Sequence, residues 1–304
     1  MNRRVRLAIT LGDPRGIGAE ITTAVLAQGV DAEITLLGAR EQIAGIPAQY
    51  RIPTGSWRTT DGPVRASAVE AGLVAGRAVE QAARLALAGE VDAIVTAPVE
   101  KHALHLAGFP FPGHTEWLAY LAGGCDVAMM LTSDRLRVVL VTTHVPFRDV
   151  PLLLTTDRVV RTGNVTTTAL QRFFAIPEPR LAICALNPHA GEQGLFGDEE
   201  ARVLAPAAER LGAAGPLPAD TVFVRAMRGE FDAVLAPYHD VGMAAIKVAS
   251  FGSGVYVTLG LPFIRTSPDH GTAMDIAGTG RADPASMRAA VLLAIDLAAR
   301  SRTP

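Results

Sequence analysis

The sequence predicts an α/β protein with a largely parallel sheet, and two observations support this prediction. Short apolar runs alternate along the chain with longer, alanine-rich amphipathic runs, which is the pattern of strands connected by helices. The chain has 304 residues, of which 49% are hydrophobic. That length provides a large core and favours two domains over one.

The strand candidates are short apolar runs. In chain order they are Leu7–Leu11, Glu33–Leu37, Ala93–Thr96, Val127–Leu131, Leu136–Thr142, Leu181–Leu186, Ala233–Ala236 and Val255–Leu259. The helix candidates are longer and amphipathic: Gly16–Gln28, Val64–Leu87, Val99–Leu106, Thr115–Leu121, Asp157–Phe173, Asp198–Leu211 and Pro284–Ala299. The proline-rich stretch Ala44–Pro63 is expected to be an irregular surface excursion.

Composition excludes several classes of partner. The net charge is −2, with no basic stripe and no run of like charges, so nucleic acid and anionic membranes are poor candidates. The two cysteines, Cys125 and Cys184, form no C-x-x-C pair, which fits a reducing, cytoplasmic compartment. The first apolar run, Leu7–Leu11, is too short for a signal peptide, and no segment is long enough to span a membrane.

Three histidines follow strand-like apolar runs: His144, His189 and His239. In an open α/β sheet, ligands bind beyond the carboxyl ends of the strands. Three imidazoles at that edge, with carboxylates beside them, predict a metal site with an open coordination position. The competing interpretation is three unrelated loop histidines. The residues alone leave the two interpretations evenly balanced.

Two further segments have both a structural and a functional interpretation. The turn Gly12–Glu20 is neither G-x-G-x-x-G nor a Walker A loop, so it is either a tight glycine turn or an anion site at a helix start. In the second segment, Thr115 follows His114 at the start of a short helix. These two residues either cap that helix or bind the polar end of a substrate.

Two cations lie in apolar stretches, Lys247 and Arg265. An unpaired buried charge is costly, so each needs either a buried carboxylate partner or an anionic substrate. The glycine-rich segment Asp269–Gly278 is either a plain turn or a loop that cups a flat ring, with Asp275 available for a hydroxyl or amine group.

Taken in order, seven motifs resemble one enzyme family. They are Gly12-Asp13-Pro14, Gly113-His114-Thr115-Glu116, Thr142-Thr143-His144, the segment Leu186–Glu192, the segment Pro216–Thr221, Tyr238-His239-Asp240 and the segment Thr258–Ser267. Together they resemble the 4-hydroxythreonine-4-phosphate dehydrogenase family of vitamin B6 biosynthesis. The loop from His270 to Gly278 is similar to the adenine-binding loop of isocitrate and isopropylmalate dehydrogenases.

The resemblance implies a homodimer whose subunits have two α/β/α domains, with the isocitrate/isopropylmalate dehydrogenase fold rather than the Rossmann fold. The active site is then expected in the cleft between the domains. We expect residues 1–125 plus 250–304 to form the cofactor-side domain. Residues 126–249 would carry the metal ligands and the dimer interface.

The resemblance also implies roles for individual residues. His144, His189 and His239 would bind one divalent metal, usually zinc, with magnesium, manganese and cobalt as alternatives, and with one ligand donated by the neighbouring subunit. The phosphorylated substrate would be held by His114, Thr115, Lys247 and Arg265. Asp220 would lie near the metal, either behind the metal ligands or as a base, and Lys247 is a second candidate for proton transfer. NAD or NADP would bind at His270, Gly271 and Asp275.

One position departs from the family pattern. Tyr256 stands where the family has a substrate-binding asparagine. A phenol replaces a compact amide there, so substrate specificity is the open question. The expected reaction is oxidation of the secondary alcohol of 4-hydroxy-L-threonine 4-phosphate, followed by decarboxylation. The alternatives are a threonate or erythronate phosphate as substrate, or a metal-dependent hydrolase or lyase of a phosphorylated metabolite.

Overall fold

The computed structural model describes residues 3–58 and 64–302, which form two compact units. The first unit comprises Met1–Cys125 and Leu261–Pro304, and the second comprises Asp126–Gly260. The sequence placed the later boundary at residues 249/250. The strand Val255–Leu259 accounts for the difference, because it pairs antiparallel with the strand Ala128–Thr132 inside the second unit. Elements are numbered below in chain order.

The first unit has a parallel sheet covered by helices. Its strands are β1 (Val5–Thr10), β2 (Ala32–Ala39), β3 (Tyr50–Gly55), β4 (Ala93–Thr96) and β11 (Ile264–Pro268), in the order β3-β2-β1-β4-β11. Its helices are α1 (Gly18–Ala27), α2 (Arg40–Ile43), α3 (Val64–Leu87), α4 (Lys101–Leu106), α5 (His114–Leu121) and α11 (Ala285–Arg300). β1 is almost fully buried, as expected for an inner parallel strand.

The second unit has a mixed sheet. Its strands are β5 (Ala128–Thr132), β6 (Arg137–Leu140), β7 (Leu181–Cys184), β8 (Ala214–Leu217), β9 (Ala233–Ala236) and β10 (Val255–Leu259), in the order β10-β5-β6-β9-β7-β8. β5 is antiparallel to both of its neighbours, and the other pairs are parallel. Its helices are α6 (Val150–Leu153), α7 (Thr156–Phe174), α8 (Ala205–Leu211), α9 (Ala219–Met227) and α10 (His239–Ser250).

The predicted α/β class is confirmed, although the sequence missed three strands and four helices. β3 and β8 contain proline and lie at sheet edges, so they lack the apolar runs used to find strands. β11 is buried despite its polar sequence Ile-Arg-Thr-Ser-Pro. The helices α2, α6, α9 and α10 were not predicted. The stretch Ala44–Pro63 was expected to be irregular, which is wrong for residues 50–55, whereas residues 59–63 lie outside the described part of the chain.

No helix among the described residues combines the length and apolar composition that crossing a bilayer requires.

Candidate active site

The three histidines of the second unit lie beyond the carboxyl ends of three neighbouring parallel strands. His144 follows β6, His239 begins α10 after β9, and His189 follows β7. β9 pairs with both β6 and β7, so the three strands are adjacent. The structure therefore places all three histidines at the same edge of this unit's sheet, as the sequence predicted.

Two of these histidines come together. The ring centroids of His144 and His239 are 5.6 Å apart. Backbone contacts join the segments that carry them, because Thr142 donates to the carbonyl oxygen of Pro237 from both its amide (3.3 Å) and its hydroxyl (2.7 Å). With metal–nitrogen distances of about 2.1 Å, two imidazoles bound tetrahedrally to one zinc ion have centroids about 5 Å apart. This pair of rings therefore fits two ligands of one metal ion.

The His239 ring is oriented by its neighbour in sequence. Its Nδ1 lies 2.7 Å from Oδ1 of Asp240, a distance that places the ring proton on Nδ1. Nε2 then keeps its lone pair, and the ring is 34% exposed. A carboxylate that fixes the tautomer and orientation of an imidazole in this way is the usual arrangement behind a metal-binding histidine.

His189 is not grouped with the other two. It is exposed, and its ring lies 6.4 Å from that of Phe196. Among the described residues, no set of three His, Cys, Asp or Glu side chains has a metal-binding arrangement. The donor types fit a divalent metal, but this chain by itself assembles only the pair His144 and His239.

The remaining predicted residues of the second unit lie on or against helices. Asp220 is exposed in the first turn of α9, and Lys247 is exposed near the end of α10. The expectation that Lys247 has apolar surroundings is therefore wrong. Tyr256, on β10, is half-buried against the apolar cluster of this unit, with its hydroxyl 3.8 Å from Sδ of Met243. Met243 lies one turn before Lys247, so Tyr256 packs beside the same face of α10.

The first unit holds a buried cation. Arg265 is only 6% exposed, and its Nε and Nη2 donate to Oγ1 of Thr96 at 3.1 and 2.6 Å. Arg265 lies on β11 and Thr96 ends β4, its neighbour in the sheet. The structure therefore buries Arg265 inside the first unit, beside a threonine hydroxyl.

His114 lies close enough to Arg265 to be affected by its charge. Burial, then the charges of Arg265 and Lys101, lower the pKa of His114 to about 3, so the imidazole is neutral. Its Nε2 is buried and makes no hydrogen bond to any described residue. A neutral imidazole whose buried Nε2 carries the ring proton can donate to one oxygen of an anion while the nearby guanidinium binds others.

Thr115 was considered as a helix cap, and that interpretation is wrong. The N-cap of α5 is Gly113, which has no side-chain cap hydrogen bond, and Thr115 is the second residue of the helix. Its side chain is buried, at 7% exposure. Binding of the polar end of a substrate by His114 and Thr115 stays a prediction.

The glycine turn after β1 is built for close contact. A Cβ on Gly12 would lie 2.1 Å from the carbonyl oxygen of Pro98, and one on Gly18 would lie 2.0 Å from that of Leu11. A Cβ on Gly16 would lie 2.8 Å from the carbonyl oxygen of Thr272. These approaches favour the tight-turn interpretation. They also join the turn to the loop that follows β11.

That later loop contains the three residues expected to bind the cofactor. Nδ1 of His270 lies 3.0 Å from the carbonyl oxygen of Gly271, so Nδ1 carries the proton. Nε2 of His270 is buried and has no hydrogen-bond partner in the described chain, which leaves an acceptor for an N–H donor such as an adenine amine. Asp275 and Gly271 are exposed. This loop fits a nucleotide.

Sequence reasoning missed two carboxylates that hold loops in place. Glu20, in the first turn of α1, accepts hydrogen bonds from the amides of Gly278 (2.9 Å) and Ala282 (3.3 Å). Glu200 is buried and accepts hydrogen bonds from the segment before His189. The available signal was an acidic residue inside a predicted helix, which by itself indicates an exposed helix face.

Comparison with known proteins identifies the family. The profile of the family described as "Pyridoxal phosphate biosynthetic protein PdxA" matches residues 21–294. A 4-hydroxythreonine-4-phosphate dehydrogenase of Geobacter metallireducens is 45% identical over 98% of this chain and 96% of the relative. A D-threonate 4-phosphate dehydrogenase of Salmonella typhimurium is 44% identical over 96% of this chain and 98% of the relative.

Solved structures agree with this result. A crystal structure of 4-hydroxythreonine-4-phosphate dehydrogenase from Klebsiella pneumoniae has a TM-score of 0.86 and 38% identity, covering 97% of this chain and 100% of the other. A beta-decarboxylating dehydrogenase of Thermococcus kodakarensis has a TM-score of 0.50 at 16% identity, covering 96% of this chain and 83% of the other, and it shows the fold alone. The predicted fold relationship is confirmed. This chain belongs to the PdxA family of dehydrogenases.

Proposed function

We propose that this protein is a metal-dependent, NAD(P)-linked dehydrogenase that oxidises the secondary alcohol of 4-hydroxy-L-threonine 4-phosphate, with subsequent decarboxylation, in vitamin B6 biosynthesis. The observation that carries the proposal is the pairing of buried Arg265 with neutral His114, whose Nε2 lacks a partner among the described residues. This arrangement suits a phosphate group. Both dehydrogenase relatives are named for substrates that carry a 4-phosphate.

The phosphate contacts supply binding energy away from the reacting carbon. Arg265 donates a planar fork of N–H groups, and Thr96 fixes the direction of that fork. His114 and Thr115 lie at the start of α5, where backbone amides also favour negative charge. Holding the remote phosphate in this way orients the alcohol carbon for reaction.

His144, His189 and His239 are the proposed ligands of one divalent metal ion, with zinc as the favoured metal. The support is the close pair of His144 and His239 and the Asp240 carboxylate behind His239. When bound, the metal lowers the pKa of the substrate hydroxyl and stabilises the negative charge that develops as carbon dioxide leaves.

We assign nicotinamide-cofactor binding to His270, Gly271 and Asp275. Nε2 of His270, which has no hydrogen-bond partner among the described residues, would be available to the adenine, and the exposed carboxylate of Asp275 would be available to the ribose hydroxyls. A carboxylate at the ribose favours NAD over NADP, since it repels a 2′-phosphate. The cofactor, when bound, accepts hydride from the alcohol carbon.

Proton transfer is assigned to Asp220 and Lys247. Asp220 is the proposed base for the substrate hydroxyl, and Lys247 returns a proton to carbon after decarboxylation or contacts the phosphate. Both side chains are exposed, so exchange of their protons with solvent is unhindered.

A D-threonate or erythronate phosphate is the second candidate substrate, and Tyr256 is the observation that favours it. Tyr256 packs beside the α10 face that carries Lys247, where the family has an asparagine. The phenol takes the space of a compact amide donor and acceptor, and the two named types of relative are almost equally similar to this chain.

A substrate panel tests the assignment. The purified protein is mixed with 4-hydroxythreonine 4-phosphate, D-threonate 4-phosphate and D-erythronate 4-phosphate, each with NAD or NADP and zinc. We expect absorbance from reduced nicotinamide with at least one of them and its loss with a chelator. Reduced cofactor with none of the three would contradict the dehydrogenase, and phosphate release without reduction would favour the hydrolase. Tyr256→Asn should shift kcat/KM toward 4-hydroxythreonine 4-phosphate.

We further propose a cytoplasmic homodimer in which one metal ligand comes from the neighbouring subunit. The support is that this chain by itself groups only two of the three histidines among its described residues. Symmetric dimers are the commonest oligomers of enzymes.

A further inference from the structure

The turn that carries His189 has an unusual backbone. Five consecutive residues, from His189 to Gln193, have φ values of 53°, 53°, 80°, 42° and 56°. Only one of them, Gly191, is a glycine. The left-handed region crowds Cβ against the backbone of L-residues, which normally enter it as single residues. A run of this kind persists only where the surrounding structure holds it in place.

A buried carboxylate anchors the entrance to this turn. Oε1 of Glu200 accepts hydrogen bonds from the amides of Leu186 (2.9 Å) and Asn187 (2.7 Å). Oε2 of Glu200 accepts from Nδ2 of Asn187 at 2.9 Å. Glu200 is 5% exposed. These bonds fix the chain two residues before His189.

The exit from the turn closes around the same groups. A Cβ on Gly191 would lie 3.0 Å from Oε2 of Glu200, and a Cβ on Gly197 would lie 2.5 Å from Nδ2 of Asn187. Glu200 also begins a π-helical turn, Glu200–Leu204. A π-helical turn is a rare conformation, and the turns of this kind that do occur often lie at functional sites. The carboxylate is therefore packed between the two ends of the His189 turn.

We propose that Glu200, acting with Asn187, is a positioning residue that holds the left-handed turn and thereby presents the imidazole of His189 to the metal ion. Its two oxygens are occupied by three hydrogen bonds from N–H groups, so it acts through the turn and is not itself a ligand. The inference rests on the proposed function, because it takes His189 as a metal ligand.

Cobalt(II) titration tests the role of Glu200. The visible absorption of bound cobalt reports both affinity and coordination geometry, independently of turnover. We expect Glu200→Gln to raise the dissociation constant for cobalt about 10- to 100-fold, as is typical when a group behind a ligand is removed. The control is Glu199→Gln, because Glu199 also accepts from Nδ2 of Asn187, at 2.7 Å, but is less buried. The dissociation constant of Glu199→Gln for cobalt should stay within about threefold of the wild-type value.

The possible failures are distinguishable. His189→Ala should weaken cobalt binding at least as much as Glu200→Gln. If His189→Ala binds cobalt like the wild type, the proposed ligand set is wrong. If His189→Ala weakens binding and folded Glu200→Gln does not, the positioning inference alone is overturned. Should Glu200→Gln fail to fold, Asn187→Ala replaces it, because this change removes the Nδ2 hydrogen bond through which Asn187 and Glu200 act together and should likewise raise the dissociation constant for cobalt. Wild-type cobalt affinity in Asn187→Ala would then overturn the inference.

Discussion

The two units prepare their functional residues in different ways. In the first unit, Arg265 lies within a strand at 6% exposure, and His114 and Thr115 begin a helix. In the second unit, His144 and His189 lie on connecting segments and are exposed. The first set is held by regular secondary structure and burial, and the second by local hydrogen bonds.

We interpret this difference through the chemistry that we propose for each set. A buried guanidinium and a neutral imidazole bind an anion strongly because little water competes with them. An imidazole on an exposed loop is hydrated when no metal is bound, so it costs the fold little free energy. Metal binding would then order these loops. We therefore expect the anion site to be formed in the free protein and the metal site to be completed by the ion and the second subunit.

The largest expected effect comes from the histidines. His144→Ala, His189→Ala and His239→Ala should each abolish turnover while the far-ultraviolet circular dichroism stays that of the wild type, because each removes a metal ligand without touching the core. Full activity and full metal content in any one of these variants would remove that histidine from the ligand set.

Mixing these inactive variants pairwise tests the shared site. If one histidine crosses between subunits, two of the three mixtures should recover activity. In such a mixture half of the dimers are mixed and have one complete site, so about a quarter of wild-type turnover returns. Recovery in none of the mixtures, after exchange of subunits has been verified by mass, would place all three ligands on one chain.

A smaller effect is expected at the anion site. Arg265→Met should lower kcat/KM for the phosphorylated substrate about 100- to 1,000-fold, corresponding to about 3–4 kcal/mol for the loss of a buried charge contact. Lys101→Met is the comparison, since the charge of Lys101 also acts on His114 but Lys101 is exposed, so its interaction is screened by water. Reduced-nicotinamide absorbance is the measurement. An equal loss in both variants would contradict the contrast between buried and exposed cations.

The smallest effect concerns stability against pH. The pKa of His114 is lowered to about 3 in the folded chain, mainly by burial, so the folded state stays neutral where the unfolded state takes up a proton. Stability should therefore fall as pH drops below about 6.5, the ordinary histidine pKa, toward 3. Urea unfolding at pH 7 and pH 5 should show a smaller acid loss in His114→Gln than in the wild type. His105→Gln, an exposed change in the same unit, should leave the loss unaltered.

The sequence predicted the fold where the chain is locally regular. Alternating apolar runs identified the inner strands, because a strand buried on both faces has little choice of residue type. β11 was missed because it is buried although it contains polar residues. Arg265 and Thr266 can be buried there because both make hydrogen bonds inside the fold. α10 was also missed. It begins at His239, directly after the strand-like run, where the sequence predicted a loop.

Only part of the candidate site could be predicted from local sequence patterns. The placement of the three histidines after neighbouring strands followed from local patterns, and their proposed roles came from the resemblance. The exposure of Lys247 and the packing of Tyr256 against Met243 could not be predicted, since both depend on how α10 lies against its sheet.

By itself, the sequence determined the α/β alternation and the family, and it supplied the candidate site residues, because all of these depend on contiguous motifs. Only the tertiary structure decided that Arg265 lowers the pKa of His114, that Glu20 anchors the loop after β11, and that buried Glu200 closes the His189 turn. Each of these joins residues that are distant in sequence. A buried polar group has lost its hydrogen bonds to water, so it is stabilised by a partner that the fold brings close from another part of the chain.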